Sequence, residues 1–109
     1  MEDKMAEILT DETFAVKVEK GSGLALVDFY ADWCVPCQQQ GPIIEKLAAE
    51  YEGKALICKI NTDNSPQTAV KYGVMSIPTI MLFKDGVKQE ESLGVTDKAT
   101  LEAMLTKYL

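Results

Sequence analysis

The sequence predicts an α/β fold in which a mixed sheet of about five strands is flanked by four helices. The almost continuously apolar run Leu24–Tyr30 has the composition of a strand that is buried on both faces, and Ala55–Asn61 is predicted to be a second strand. Between them, apolar residues recur at helical spacing from Pro36 until Gly53 interrupts the pattern. A strand, a helix and a strand in this order form a parallel unit with a right-handed crossover.

Two less regular segments complete the helices and the sheet edge. Ser65 and Pro66 begin a short helix through about Tyr72, with the serine as its cap and the proline in its first turn. Near the start of the chain, residues 5–9 are expected to form an edge strand and residues 10–20 a helix.

The last third of the chain predicts a hairpin and a helix. The Asp-Gly pair at 85–86 separates strand-like runs at 79–84 and 87–93, which indicates two antiparallel strands joined by a tight turn. Thr96 or Asp97 then caps a final helix with apolar residues along one face.

Composition limits the class of protein. The chain has 109 residues, 47% of them hydrophobic, which suits a single domain over residues 1–109 with one core. The net charge is −6, which argues against nucleic acid or an anionic membrane as a partner, because both bind basic surfaces. The N-terminus lacks the pattern of a secretory signal, and the apolar runs are strand-sized. We therefore expect a cytoplasmic protein that acts as a monomer.

Cys34 and Cys37 lie where the Leu24–Tyr30 strand gives way to its helix. The first turn of a helix has unpaired N–H groups and the positive end of the dipole, and both favour a thiolate. Cys34 is therefore predicted to be the nucleophile. Cys37, one turn further on, is close enough to attack a mixed disulfide formed at Cys34. Pro36 fits the first turn, where its missing N–H removes no bond.

A structural disulfide and a structural metal site are the alternatives. Cross-linking a four-residue loop gains only about 2 kcal/mol, against about 3 kcal/mol for fifteen residues, and a reducing cytosol would keep it open. A zinc site takes four ligands, usually cysteine and histidine, whereas this chain has one further cysteine, Cys58, and no histidine. We therefore predict redox chemistry without a metal, and a buried apolar role for Cys58.

These residues resemble the thioredoxin family over nearly the whole chain. The likeness rests on Pro42 and on the segments VDFYADWCVPC, INTDNSP, YGVMSIPTIMLFKDG and LGVTDK. It implies the thioredoxin fold and the reduction of protein disulfides through a reversible Cys34–Cys37 disulfide, with no other cofactor. It also implies re-reduction by a flavoprotein, thioredoxin reductase.

The resemblance assigns roles to three further residues. Asp28 would be the buried aspartate that exchanges a proton with Cys37 through water; the alternative is a carboxylate at a strand end that reaches solvent. Lys59 would approach Asp28, or would be an ordinary lysine with its charged end in water. Pro78 would follow a cis peptide bond and face the cysteines, although most such bonds in proteins are trans.

The same resemblance predicts a shallow apolar surface for clients, the proteins whose disulfides are reduced. The backbone of Ile77 would dock an extended client segment in the manner of an added strand. The surrounding residues would be Trp33, Val35, Pro36, Gly73, Val74 and Gly94.

Three positions depart from the usual thioredoxin pattern. Val35-Pro36 stands between the cysteines in place of Gly-Pro, and valine is bulkier and stiffer. The uncharged run 38–40 follows Cys37 where a basic residue is common. The potential near Cys34 should therefore be less positive, which should leave its thiolate less favoured than in a typical thioredoxin. Tyr30 replaces a frequent tryptophan and keeps an aromatic wall.

Two other functions agree with the same residues. A thioredoxin-like oxidant or isomerase would use the same cysteine pair at a higher reduction potential. A binding module of a larger assembly would use the fold and would not need the thiols.

Overall fold

The computed structural model describes residues 5–109, and in this part of the chain five strands form one mixed sheet. The strands are β1 (Glu7–Leu9), β2 (Leu24–Tyr30), β3 (Leu56–Asn61), β4 (Thr79–Lys84) and β5 (Val87–Leu93). The α-helices are α1 (Asp11–Phe14), α2 (Val35–Glu50), α3 (Pro66–Lys71) and α4 (Lys98–Tyr108). A π-helical segment, Ala15–Glu19, continues α1.

The strand order across the sheet is β1-β3-β2-β4-β5. The central strand β2 pairs in parallel with β3 and antiparallel with β4, and β5 is antiparallel to β4. Asp85 and Gly86 have φ angles of 50° and 83°, the left-handed conformation that a tight hairpin turn requires. The predicted parallel unit and the predicted hairpin are both confirmed.

Alternate residues of β2 enter two separate parts of the core, because successive side chains of a strand point to opposite faces. Leu24 and Leu26 pack with apolar residues of α2 and α4, among them Ile44, Leu47, Leu101 and Leu105. Ala25, Val27 and Phe29 pack on the other face with Phe14, Cys58, Phe83 and Tyr72. Each fully buried leucine or phenylalanine stabilises the fold by about 1.5–3 kcal/mol. By this alternation, Asp28 lies on the face that α2 covers.

Several predicted boundaries differ from the structure. The edge strand occupies Glu7–Leu9 instead of 5–9, and β3 begins at Leu56 instead of Ala55. The expected continuous helix at 10–20 is one α-helical turn followed by the π-helical segment. Thr10 caps it, because its side chain accepts the Thr13 N–H while the Thr13 side chain accepts the Thr10 N–H.

The cap of α3 is a second difference. Ser65 occupies the N-cap position but makes no capping hydrogen bond with its side chain. Instead, the Asp11 carboxylate accepts the N–H groups of Gln67 and Thr68 at 3.2 and 2.8 Å. The predicted N-cap position of Ser65 is therefore confirmed, whereas the capping bonds come from Asp11 and not from the serine side chain. At the last helix Asp97 is the cap and accepts the Thr100 N–H at 2.9 Å, which decides between the two predicted candidates.

Candidate active site

The two cysteines lie at the start of α2, directly beyond the end of β2. Cys34 is the N-cap residue and Cys37 lies in the first turn. Their sulfur atoms are at disulfide distance, and their Cα atoms are 5.2 Å apart. Only 4% of Cys34 and 5% of Cys37 is exposed. A pair in this arrangement can alternate between a dithiol and a disulfide, which is a two-electron change.

The surroundings of the Cys34 sulfur favour negative charge. The Cys37 N–H donates to Cys34 Sγ at 3.2 Å. This N–H belongs to the unpaired group at the helix start, where the helix dipole adds a positive partial charge. The first turn, residues 35–38, contains no basic residue, so the backbone supplies this stabilisation. Cys34 is therefore the better placed of the two sulfurs to act as a nucleophile.

Pro78 approaches the cysteines from the side of β4. The Ile77–Pro78 peptide bond is cis. The Ile77 carbonyl oxygen lies 3.7 Å from Cys34 Sγ, and the Pro78 carbonyl accepts the Gly94 N–H at 2.9 Å. Three segments thus meet at the site: the start of α2, the loop before β4 and the loop after β5.

Asp28 is completely buried in the middle of the sheet, on the face that α2 covers. Neither carboxyl oxygen has a hydrogen-bond partner among the described residues. Burial raises the pKa of Asp28 to about 7, although the nearby positive charge of Lys59 opposes this and Glu45 reinforces it. A carboxyl group that titrates near neutral pH can accept a proton from a thiol and return it.

Lys59 lies opposite Asp28 in the parallel pairing of β2 with β3. Its ammonium nitrogen is 3.8 Å from Glu45 Oε2 and 4.6 Å from the centre of the Tyr30 ring. The ion pair of Lys59 is thus with Glu45, while its charge acts on Asp28 by lowering the pKa of that carboxyl. The side chain of Lys59 is 18% exposed, so water screens this pair less than a surface pair.

Glu45 is a residue that the sequence analysis missed. It projects from α2, and its Oε1 accepts the Ala6 N–H at 2.8 Å while Oε2 faces Lys59. One signal was present in the sequence, because Glu45 directly follows Ile44 of the buried helix face. A carboxylate beside the buried face of α2 borders the sheet, where the mid-strand Lys59 offers an opposite charge.

An exposed apolar surface surrounds the cysteines. Trp33 and Val35 are 69% and 62% exposed, Pro36 is exposed, and Val74 and Ile77 are half-buried. A groove of about 210 Å³ runs beside them. It is lined by Trp33, Thr62, Ala69, Val74, Met75, Ser76 and Ile77.

Met75 and Asp63 belong to this surface, and the sequence analysis assigned neither. Met75 is 94% exposed in the turn before Ile77, which gives the groove a flexible apolar side chain. Asp63 Oδ2 accepts the Trp33 indole N–H at 2.8 Å and thereby fixes the ring on one side of the groove. Gly73 precedes this turn with a φ of 69°.

The residues that the structure describes contain no group of three or more His, Cys, Asp or Glu side chains able to hold a metal ion. Across the same range, no helix is both long and apolar enough to span a bilayer. Cys58, the third cysteine, is buried in the core as expected.

Comparison with known proteins identifies the family. The family model of the thioredoxins matches residues 5–107. Thioredoxins of Staphylococcus aureus strains Mu50, MW2 and N315 are each 50% identical over 101 residues, which cover 93% of this chain and 95% of theirs. Together with the mixed sheet and the cysteine pair at disulfide distance, these matches show that the chain belongs to the thioredoxin family of dithiol–disulfide oxidoreductases.

Proposed function

We propose that this thioredoxin reduces disulfides of client proteins, with Cys34 as the attacking and Cys37 as the resolving residue. The observation that carries the proposal is the position of Cys34 Sγ, which accepts an N–H of the helix start and lies 3.7 Å from the Ile77 carbonyl. Cys37 lies in the first turn of the same helix, with its sulfur at disulfide distance from Cys34 Sγ.

The reaction proceeds by two displacements at sulfur. The Cys34 thiolate attacks one sulfur of the client disulfide, the client S–S bond breaks and the first client thiolate leaves. Cys37 then loses its proton and attacks Cys34 Sγ, which breaks the mixed disulfide and releases the second client thiolate. The client gains two electrons, and the protein is left with the Cys34–Cys37 disulfide. The two client thiolates take up protons to become thiols.

Asp28 is the acceptor of the Cys37 proton in this proposal. Its pKa of about 7, raised by burial, lets it receive a proton from a thiol and release it again near neutral pH. Lys59 holds this pKa below the value that burial alone would produce. Asp28 is therefore charged often enough to act as a base.

The apolar surface around Cys34 receives the client. An extended segment that carries the target disulfide lies along Ile77, with Pro78 and Gly94 beneath it and the groove between Trp33 and Val74 beside it. Val35 and Pro36 supply apolar contacts at the helix start.

A flavoprotein, thioredoxin reductase, returns two electrons to the disulfide and completes the cycle. We further propose that the protein works as a monomeric single domain in the cytoplasm, where low-potential thiol systems keep such a dithiol reduced. This protein itself uses no metal or organic cofactor in the proposed cycle, because its own Cys34–Cys37 pair carries the two electrons.

A trapping experiment tests the order of attack. Cys37→Ser protein should accumulate mixed disulfides with oxidised insulin through Cys34, because the resolving thiol is absent. Cys34→Ser protein is the matched control and should form none. Trapping through Cys37 in the control, with none through Cys34, would reverse the assignment. The reduction potential of the Cys34–Cys37 pair should be low, as it is in thiol proteins that act as reductants. A potential near −120 mV would indicate that the protein acts as an oxidant instead.

A further inference from the structure

Gln40 is a polar side chain of α2 that is completely buried close to the active site. It lies one turn after Cys37, and none of its surface is exposed. Its Oε1 accepts the Thr96 N–H at 2.7 Å, and its Nε2 donates to the Thr96 carbonyl oxygen at 3.0 Å. Only this orientation of the amide satisfies both backbone groups. The two bonds join the active-site helix to a loop 56 residues further along the chain.

Thr96 belongs to the short loop, residues 94–97, that connects β5 with α4. The Thr96 hydroxyl donates to the Gly94 carbonyl at 3.1 Å and is also hydrogen-bonded to the Ser92 hydroxyl. On its other side, the Gly94 N–H donates to the Pro78 carbonyl at 2.9 Å. The loop is thus attached at one end to the segment that faces Cys34 and at the other end to α2.

These contacts close a ring around the place where a client would bind. From Cys34 the ring passes in turn through Ile77, Pro78, Gly94, Thr96 and Gln40 and returns to the cysteines through α2. Within the ring, Val95 is 46% exposed and Gly94 is partly exposed. Gln40 is the link between the loop and the helix, and it presents no surface of its own to a client.

We propose that Gln40 is a positioning residue for client binding, which holds the 94–96 loop at a fixed distance from the cysteines so that an extended polypeptide segment fits between that loop and Ile77. The inference rests on the proposed function, because it takes client segments as the occupants of this surface. A loop fixed before binding loses less conformational entropy when a client is bound. Loss of the Gln40 bonds should therefore weaken client binding and leave the chemistry at sulfur unchanged.

The test compares Gln40→Met with Gln39→Met, since Gln39 is exposed on the same helix and serves as the matched control. Each protein is reduced beforehand, and its single-turnover oxidation is followed with increasing insulin and with 5,5′-dithiobis(2-nitrobenzoate), a disulfide without a polypeptide. For Gln40→Met we expect the half-saturating insulin concentration to rise about fivefold, which is the factor that a loss of roughly 1 kcal/mol of binding produces. The limiting rate and the rate with the small disulfide should stay within about twofold of the parent.

Hydrogen exchange gives a readout that does not depend on the methionine variant. In the parent, the Thr96 N–H should exchange far more slowly than the neighbouring Val95 N–H, because it is bonded to Gln40. In Gln40→Glu, which keeps an oxygen for that N–H and loses the donor to the Thr96 carbonyl, we expect faster Thr96 exchange and weaker insulin binding than in the parent. If Gln40→Met does not fold, the Gln40→Glu variant and the hydrogen-exchange rates of the parent decide the question.

The outcomes separate this inference from the proposed function. If the parent reduces insulin while Gln40→Met and Gln39→Met have the same half-saturating insulin concentration, the positioning role of Gln40 is wrong and the proposed function stands. If Gln40→Met slows the reduction of the small disulfide as much as the reduction of insulin, Gln40 acts on the cysteines themselves and the inference is also wrong. If the parent itself does not reduce insulin, both fail.

Discussion

Cys34 and Cys58 are both almost completely buried, yet only one of them is placed for chemistry. Cys34 is 4% exposed and Cys58 is 0% exposed, so burial does not distinguish them. Cys34 caps a helix and accepts an N–H group at its sulfur. Cys58 lies in the middle of β3, and its thiol donates to the Leu26 carbonyl at 3.5 Å.

The difference lies in what each sulfur meets when it loses its proton. Burial strongly raises the pKa of the Cys58 thiol, and the nearby carboxylates Glu7 and Asp28 raise it further. A thiolate there would meet a carbonyl oxygen and apolar side chains. At Cys34 a thiolate would meet a donated N–H and the positive end of α2. Reactivity therefore follows from the direction of the backbone groups around each sulfur.

The largest effect should come from removing each cysteine in turn. Cys34→Ser should reduce insulin turnover to the background rate, because a serine hydroxyl cannot replace the thiolate as nucleophile at neutral pH. Cys58→Ala should keep turnover within about twofold and lower the free energy of unfolding by about 1 kcal/mol, the cost of a small cavity. A turbidity assay with insulin and urea denaturation measure the two quantities. Loss of turnover in Cys58→Ala with an intact fold would remove the distinction between the two cysteines.

Asp28 lies on the strand next to Cys58 but on the face of the sheet that α2 covers, so its replacement should change disulfide exchange and leave Cys58 buried in the opposite part of the core. Its folded pKa of about 7 exceeds the unfolded value of about 3.9, so the native state holds the proton more tightly. The free energy of unfolding therefore falls as the pH rises from about 4 to about 7, by roughly 3 kcal/mol between pH 5 and pH 8. Asp28→Asn should remove this fall and be more stable than the parent at pH 8.

The same Asp28→Asn variant should slow disulfide exchange at the Cys37 step, because it lacks the carboxyl group proposed to accept the Cys37 proton. Urea denaturation of parent and variant at pH 5 and pH 8, with stopped-flow exchange rates, measures both effects. An equal stability difference at the two pH values, with unchanged rates, would show that Asp28 is an ordinary structural carboxylate. Alkylation of Cys58 should stay absent in the folded variant.

The smallest effect concerns the exposed edge of the reactive site. Val35→Gly removes an apolar side chain that is 62% exposed. The loss of this contact should raise the client KM about threefold and shift the reduction potential of the Cys34–Cys37 pair by roughly 10 mV. The melting temperature should stay within a few degrees of the parent value. Val87→Gly is the matched control, since Val87 is 61% exposed on the hairpin. Identical potentials and KM values in the two variants would show that Val35 is a tolerated surface residue.

Local sequence signals predicted most of the fold and the cysteine pair. The apolar run of β2, the Asp85-Gly86 turn and the cysteines at a strand–helix junction each act over fewer than ten residues, so their consequences follow from the nearby sequence. Asp28 stood out because a carboxylate interrupts a buried strand. The roles of Pro78 and Lys59 came from resemblance to the family, since nothing in their spacing distinguishes them.

The missed features depend on contacts between distant segments. Gln38, Gln39 and Gln40 are identical in type, yet only Gln40 is buried, because the Thr96 backbone lies against that position of α2. The capping of α3 by Asp11 spans 57 residues in the same way. Contacts between residues so far apart in the chain depend on how the helices pack against the sheet. The sequence pattern within a single helix or strand therefore does not predict them.

The difference between Cys34 and the other cysteines is tested most directly by the order in which the three cysteines of the reduced, folded protein react. With limiting iodoacetamide at pH 7, followed by digestion and mass spectrometry, alkylation should occur at Cys34 first and at Cys58 only after unfolding in denaturant. Cys34 should carry nearly all of the label in the native protein, because the helix start stabilises its thiolate. Labelling of Cys37 or Cys58 before Cys34 would contradict this prediction.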